Sequence, residues 1–265
     1  MRQVFIGLLL SFLVSFVSFK KKALSTSGFI AGIFMGTLVY FFGGIIIFVS
    51  MFSAFASSSV LSKFKKDRKR HLELIHEKND TRDHIQIIVN CITGLIFSIL
   101  YYFYNQVEFL VISATSFAVL NSDTWASEIG VLSKKSPISI LTGKKIEKGM
   151  SGGVSLLGTI SSLLGAMFVA LSFLLTWVVI YKYDNNLIYY FLVCTLFGFL
   201  GSLIDSLFGL LLQAQYFSEE LNIFTEKSVS NGKANKLVRG FRIFNNDMVN
   251  LTSSITSCLI AMIII

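Results

Sequence analysis

Three carboxylates interrupt stretches otherwise apolar enough to cross a bilayer: Asp123 and Glu128 in NSDTWASEIG (121–130), and Asp205 in GFLGSLIDSLFG (198–209). An ionised group in hydrocarbon is costly and normally faces a wet or protein-lined interior, so such residues mark a candidate site. Asp123 and Glu128 are five apart, about 140° around a regular helix, and would chelate one ion only if the helix were distorted. Asp123 with Asp205 is therefore the expected metal pair, leaving Glu128 for a second ion or a lysine. Carboxylates in ones and twos, completed by phosphate oxygens, are the usual setting for Mg²⁺. A glycine-rich helix start supplies amides to the same phosphates. GMSGGVS (149–155), with Gly149, Gly152 and Gly153, stands directly before an apolar run and suits that role, preceded by Lys144, Lys145 and Lys148.

The elements that must position these residues are membrane helices. With 54% hydrophobic and 14% charged residues and one proline, the chain reads as an all-α, polytopic helical bundle. Residues 1–265 leave room for one integral membrane domain and no attached soluble one. Apolar runs place spans near 3–19, 26–42, 44–61, 84–104, 107–131, 153–181, 187–213 and 247–265. The count is eight if Gly43-Gly44 is a turn, and seven if 26–61 is one helix. Charge favours eight, because the turn puts 21 of the 23 basic residues on one face, whereas merging the spans strands Lys20, Lys21 and Lys22 on the other. By the positive-inside rule that face is cytoplasmic and both termini are external, in the plasma membrane if the source is bacterial. Residues 3–19 resemble a secretory signal after Arg2, but no A-x-A-like cleavage site follows and Lys20-Lys21-Lys22 reads as a stop, so this too is a span.

Several chemistries are excluded. Cys91, Cys194 and Cys258 lie scattered in apolar runs and read as packing residues, with neither a disulfide framework nor a zinc pattern. His71, His76 and His84 fall in or beside the charged loop and read as solvated. No GxxxxGK[ST] and no GxGxxG after a strand is present, so neither a P-loop nor a Rossmann site is available. The net charge of +8 follows from basic cytoplasmic loops that attract anionic membrane lipids, and implies no nucleic-acid partner.

The polar residues within spans all fall in the cytoplasmic half. Ser57, Ser58, Ser59 and Lys63 end the third span; Arg82, Gln86 and Asn90 enter the fourth at i, i+4 and i+8, on one helix face. Gly198, Gly201, Asp205 and Gly209 form a small-residue stripe that carries an acid into the bundle. Asn245, Asn246, Asp247 and Asn250 open the last span. A channel or carrier would be expected to continue this polarity to the midplane or the far side, where only Glu108, Lys182, Asp184 and a few asparagines occur. The pattern describes a polar cleft open to the cytosol.

At these residues the chain resembles the phytyl-phosphate kinase and transmembrane protein 19 family, over nearly its whole length. The resemblance is carried, in order, by TSGFIAG (26–32), SSVLSK (58–63), the Arg82, Gln86, Asn90 series, SDTWASEIG (122–130), a P-x-x-I-x-T loop continuing to GMSGGVS, GSLIDSLFG (201–209) and NNDMVN (245–250). The family pattern usually reads GTNGGVS where this chain has Met150 and Ser151, and often has glycine where this chain has Cys91. The resemblance implies a CTP-dependent kinase that adds a second phosphate to a prenyl monophosphate lipid. On that reading Asp123 and Asp205 hold Mg²⁺ with Glu128 as a third acid, and Lys63 and Arg82 contact phosphates. Ser58, Ser59, Gln86, Asn90, Asn245, Asn246 and Asn250 then help to bind substrate or nucleotide, and the Gly149 to Gly153 loop wraps CTP. A transporter or scramblase of a lipid phosphate or ion is the alternative from another class. Plainer roles compete at each position: interhelical contacts for the acids, capping for the asparagines, a flexible loop for the glycines, topology for Lys63 and Arg82, and packing for Trp125.

Overall fold

The computed structural model describes residues 1–69, 72–78, 81–182 and 185–265; His71 and Asp184, read above as loop residues, lie outside them. The elements are α1 (Arg2–Lys20), α2 (Thr26–Lys63), α3 (Lys66–Lys69), α4 (Leu72–Ile75), α5 (His84–Tyr104), α6 (Val107–Gly130), β1 (Ile138–Ser139), β2 (Gly153–Val154), α7 (Leu156–Tyr181), α8 (Leu187–Leu211), β3 (Gln215–Ser218), β4 (Ile223–Thr225), β5 (Val229–Ser230), β6 (Lys233–Ala234), β7 (Lys236–Arg239) and α9 (Asn246–Ile264). Helix starts carry the expected caps. Ser25, Asp83, Ser155 and Asn245 accept the amides of Gly28, Gln86, Gly158 and Met248.

α2 is not one long rod. Gly44 sits at φ 68°, ψ −171°, outside helical space, and the contacts on either side show that the chain doubles back there. Gly36 faces Ser11 of α1 on one side and Met51, beyond the break, on the other. The Tyr40 and Phe48 rings lie 5.8 Å apart. In a straight helix Gly36 and Met51 would be separated by about 22 Å. The helical hairpin turns at the Gly43-Gly44 pair, which gives eight passes with α1, the two arms of α2, and α5 to α9. The remaining spans match their expected ranges to within about three residues, as frayed ends allow.

Apolar character and burial run in opposite directions. Among the described residues six helices are long and apolar enough by themselves to cross a membrane, and α6 is not one of them. Yet α6 is the centre of the bundle, buried almost continuously from Leu110 to Ser122. A helix surrounded by other helices need not be oily, and α6 uses hydroxyls and an amide instead. Ser113 meets Ser98 of α5 at 2.9 Å, Asn121 accepts from Ser57 of α2 at 2.7 Å and donates to the Gly165 carbonyl of α7 at 2.8 Å, and Ser122 meets Ser162 of α7 at 2.7 Å. α1 shows the reverse. It buries Gly7, Ser11 and Ser15 against α2 and turns Phe5, Leu9, Leu13 and Val17 outward, the pattern of a lipid-facing helix.

The segment read as a polar loop after α8 is folded. β4-β3-β7 form a three-stranded antiparallel sheet, β5-β6 a hairpin, and β1-β2 a two-residue ladder that ties the 138–139 loop to the start of α7. These strands are two to four residues long, too short to show a period in the sequence.

Gly44 has positive φ and open space around it, so Gly44→Ala tests backbone strain alone. It should lower the stability of the detergent-solubilised protein by about 1–3 kcal/mol in thermal unfolding. At Gly28, by contrast, a Cβ would collide with the Arg82 carbonyl oxygen, and Gly28→Ala should cost at least as much through overpacking.

Candidate functional site

A cavity of about 610 Å³ opens at the loop end of the bundle. Its floor is formed by α6, α7 and α8, through Asp123, Ser162, Ser202 and Asp205. Both acids sit about 10 Å inside their helix ends. Asp205 is 9% exposed and accepts a hydrogen bond from Ser253 of α9 at 2.8 Å. Asp123 has no hydrogen bond or ion pair among the described residues, whereas the hydroxyls beside it are mutually satisfied, Ser162 bridging Ser122 and Ser202. Two carboxylates thus share one cavity with a single hydroxyl donor between them.

One wall is the glycine-rich loop. Gly149 and Gly152 adopt φ of 85° and 86°, a region that other residues rarely enter. At Gly152 a Cβ would also meet Leu210 of α8 at 2.6 Å. Gly152 and Gly153 carry the chain into β2, and Ser155 caps α7, so the first turn of that helix borders the cavity at Gly158 and Thr159. The loop lies against Leu72, and its Gly149 carbonyl is 3.3 Å from His76 Nε2.

The adjoining wall comes from the segment joining α2 to α5. Lys69, 8% exposed, pairs with Glu128 and also donates to the Leu61 carbonyl at 2.9 Å. Lys78 bridges Asp247 of α9 at 2.5 Å and Asp83, the cap of α5, at 3.0 Å. Burial alone would lower the Lys78 pKa, but these two carboxylates outweigh it and raise the ammonium above its usual range. Burial likewise opposes ionisation of Asp83, yet the Gln86 amide and Lys78 together lower its pKa. The β-sheet fixes this wall from outside, since Thr225 donates to the Ile75 carbonyl at 2.9 Å and the Glu226 amide to the same carbonyl at 2.8 Å.

Of the residues singled out from sequence, the cavity gathers Asp123, Glu128, Asp205, Gln86, Gly149, Gly152, Gly153 and Asn246. It does not gather Ser58, Ser59, Lys63, Arg82, Asn90, Asn245 or Asn250. The reasons are local. Lys63 reaches back to the Lys21 carbonyl. Arg82 lies over the Phe55 ring at 5.0 Å, donates to Ser59 at 2.9 Å, and through its backbone pairs with Ala23 and Ser25, pinning the α1–α2 turn to α5. Ser58 donates to Asn121 at 3.1 Å, and Asn245 is a helix cap. Gln86 lines the cavity but also closes a capping box with Asp83. Trp125 packs on Phe168, ring centroids 5.8 Å apart. His76, expected in solvent, lines the cavity instead, as do Lys69, Lys78, Asp247 and Glu226.

Among the described residues no group of three or more His, Cys, Asp or Glu side chains is placed to hold a metal ion. Glu128 is engaged by Lys69, the second of the two roles open to it. Asp123 and Asp205, two under-satisfied carboxylates in one cavity, fit a hard divalent cation that takes its remaining ligands from water or a bound phosphate.

The sequence profile of the integral membrane protein DUF92 family matches residues 9–258. The chain belongs to this family. It is the family to which the ordered motifs pointed. Protein PGR of Arabidopsis thaliana is 30% identical over 278 residues, covering 96% of this chain and 95% of that protein. The uncharacterized membrane protein MJ0933 of Methanocaldococcus jannaschii is 27% identical over 212 residues, covering 80% and 84%. No solved structure matches. The DUF92 match spans every helix that contributes to the cavity floor.

Removing one member of the Lys69–Glu128 pair strands the other charge in a largely buried place. Lys69→Met should destabilise the protein by about 2–4 kcal/mol, and Lys69→Met with Glu128→Gln by clearly less, measured as a double-mutant cycle in thermal or denaturant unfolding. Strictly additive losses would show that Lys69 is not what Glu128 serves.

Proposed function

We propose that this DUF92 protein is a membrane-embedded, CTP-dependent isoprenyl-phosphate kinase that converts a prenyl monophosphate to the diphosphate with Mg²⁺. The observation that carries this reading is the separation of charge in the cavity. Asp123 and Asp205 lack a cationic partner at the floor, while Lys69, Lys78 and Lys148 stand along the walls with the start of α7. Such a cavity suits a cation at its base and phosphates above it.

In the proposed reaction an oxygen of the lipid monophosphate attacks the γ-phosphorus of CTP, the bond from that phosphorus to the β-phosphate oxygen breaks, and CDP leaves. The attacking oxygen is already ionised near neutral pH, so no general base is required. That agrees with a cavity whose histidine, His76, is turned to a backbone carbonyl. Positioning and charge neutralisation dominate such transfers. A bound Mg²⁺ would neutralise phosphate oxygens. Asp123 and Asp205 are the residues that would hold it, and Asn246, Gln86 and the Gly149 to Gly153 loop, which line the same cavity, would orient the anionic groups. The prenyl tail would lie between helices, with its phosphate at the inner leaflet, because the basic residues Lys66, Lys69, Lys78 and Lys148 line the cleft.

The lining also argues against transport. It stops at Asp123, Ser162 and Ser202, and neither Glu108 nor Lys182 at the far ends of their helices takes part. A carrier or scramblase would need a path to that end.

Purified protein incubated with labelled CTP, Mg²⁺ and a panel of prenyl monophosphates should yield labelled diphosphate. Asp123→Asn and Asp205→Asn should each reduce turnover by about a hundred-fold or more while leaving the unfolding temperature near that of wild type. A well-folded wild-type protein that turns over none of the panel would remove the kinase reading.

A further inference from the structure

The cavity walls carry lysines in different states. Lys69 is neutralised by Glu128, and Lys78 by Asp247 and Asp83. Lys148 differs. Its ammonium lines the cavity half-buried, and among the described residues it has no carboxylate partner, donating only to the neutral Ser133 carbonyl at 2.5 Å. An ammonium has three donors, so two remain. Of the three lysines ahead of the glycine loop, Lys144 and Lys145 are exposed and take no part in the lining. Lys148 alone is turned inward, and the next residue, Gly149, begins the left-handed turn that leads to α7.

A cation removed from much of its water without a counter-charge is unfavourable, and here it stands in the cavity that also holds Asp123 and Asp205, neither of which has a cationic partner among the described residues. Lys148 does not pair with either of them. The charge separation is therefore held by the fold rather than collapsed into an ion pair, with the Ser133 carbonyl fixing the position of the ammonium. An anion that bridges from the floor to this wall would satisfy both ends.

We infer that Lys148 is a binding residue for the phosphates of the nucleotide, seated where the glycine loop meets the start of α7. This rests on the phosphoryl-transfer reading above. It replaces Lys63 and Arg82 as the cation expected from sequence, since both of those are committed to joining helices outside the cavity. The two remaining donors of Lys148 would point at oxygens of the CTP phosphate chain, and the lipid phosphate would approach from the side of the acids.

Lys148→Gln is the informative substitution, because it removes the charge while keeping a polar side chain with a hydrogen-bond donor. Steady-state kinetics of the full-length protein in detergent should show KM for CTP raised about ten-fold or more, with KM for the prenyl monophosphate little changed. Lys148→Arg should restore most of the loss, and Lys144→Gln with Lys145→Gln should leave KM for CTP unchanged. Competition of inorganic pyrophosphate against CTP should weaken in parallel in Lys148→Gln. An active wild type with an unaltered KM for CTP in Lys148→Gln would overturn this inference and leave the kinase reading standing. A rise confined to the prenyl monophosphate would overturn it equally. A wild type that neither turns over nor binds CTP or pyrophosphate would remove both.

Discussion

A charge taken out of water must meet an opposite charge or a set of donors, and the interior of this bundle is arranged around that requirement. Glu128 meets Lys69, and Asp247 and Asp83 share Lys78. These pairs also tie distant elements together, since Lys69 lies in α3 and Glu128 in α6, while Lys78 joins the starts of α5 and α9. Asp123 and Asp205 are left with one hydroxyl between them, and Lys148 with one carbonyl. Asp123, Asp205 and Lys148 all line one cavity. On the function proposed above, a charged ligand would complete that balance.

The two acids share the cavity because small residues set the distance and register of α6 against α8. The helices run in parallel, with Gly198 beside Ala118 and Gly201 beside Val119, closely enough that a Cβ on either glycine would overlap its neighbour. Between one and two turns further on, the same faces bring Asp123 and Asp205 to a common space. Gly130 and Gly158 perform the matching close approach between α6 and α7, which places the capped start of α7 beside the end of α6. In lipid, where burial of apolar surface gives helices little reason to associate, such contacts and interhelical hydrogen bonds carry the packing. Asn121 and Ser122, buried on α6 just before Asp123, supply those bonds to α2 and α7. The site and the bundle core are therefore continuous along one helix.

That continuity explains which parts were legible in the sequence. Asp123 and Asp205 stand out because an acid in an apolar run is an anomaly whatever surrounds it, and the glycine loop stands out by its spacing from α7. The Gly44 turn was readable because basic residues sort by side. Lys69, Lys78 and His76 were not readable, because they sit among many charged neighbours in a loop, and which of them turns inward depends on the β-sheet at Thr225 and Glu226 that holds the Ile75 carbonyl. The same ambiguity misdirected Lys63 and Arg82. Their motif position suggested phosphate, whereas tertiary contacts use Lys63 to reach the Lys21 carbonyl and Arg82 to cross-link α2 and α5. Helix periodicity locates a face of a span, but it carries no information about the direction of a long side chain beyond the span's end.

Keeping the acids and Lys148 apart has a consequence for how such a site works. Had the ammonium paired with Asp123, the cavity would be self-neutralised, and an incoming metal or phosphate would have to break that pair before binding. Held apart, both poles keep unsatisfied valence, at a cost in stability that the surrounding ion pairs and close helix contacts offset. On the phosphoryl-transfer reading, the arrangement is oriented before any ligand arrives, so little reorganisation would be needed when charge develops, which is the condition under which fixed charges contribute most to transfer. The Ser133 carbonyl on one side and the Ser253 hydroxyl on the other are neutral partners. They fix direction without cancelling charge, and that is why the field across the cavity survives.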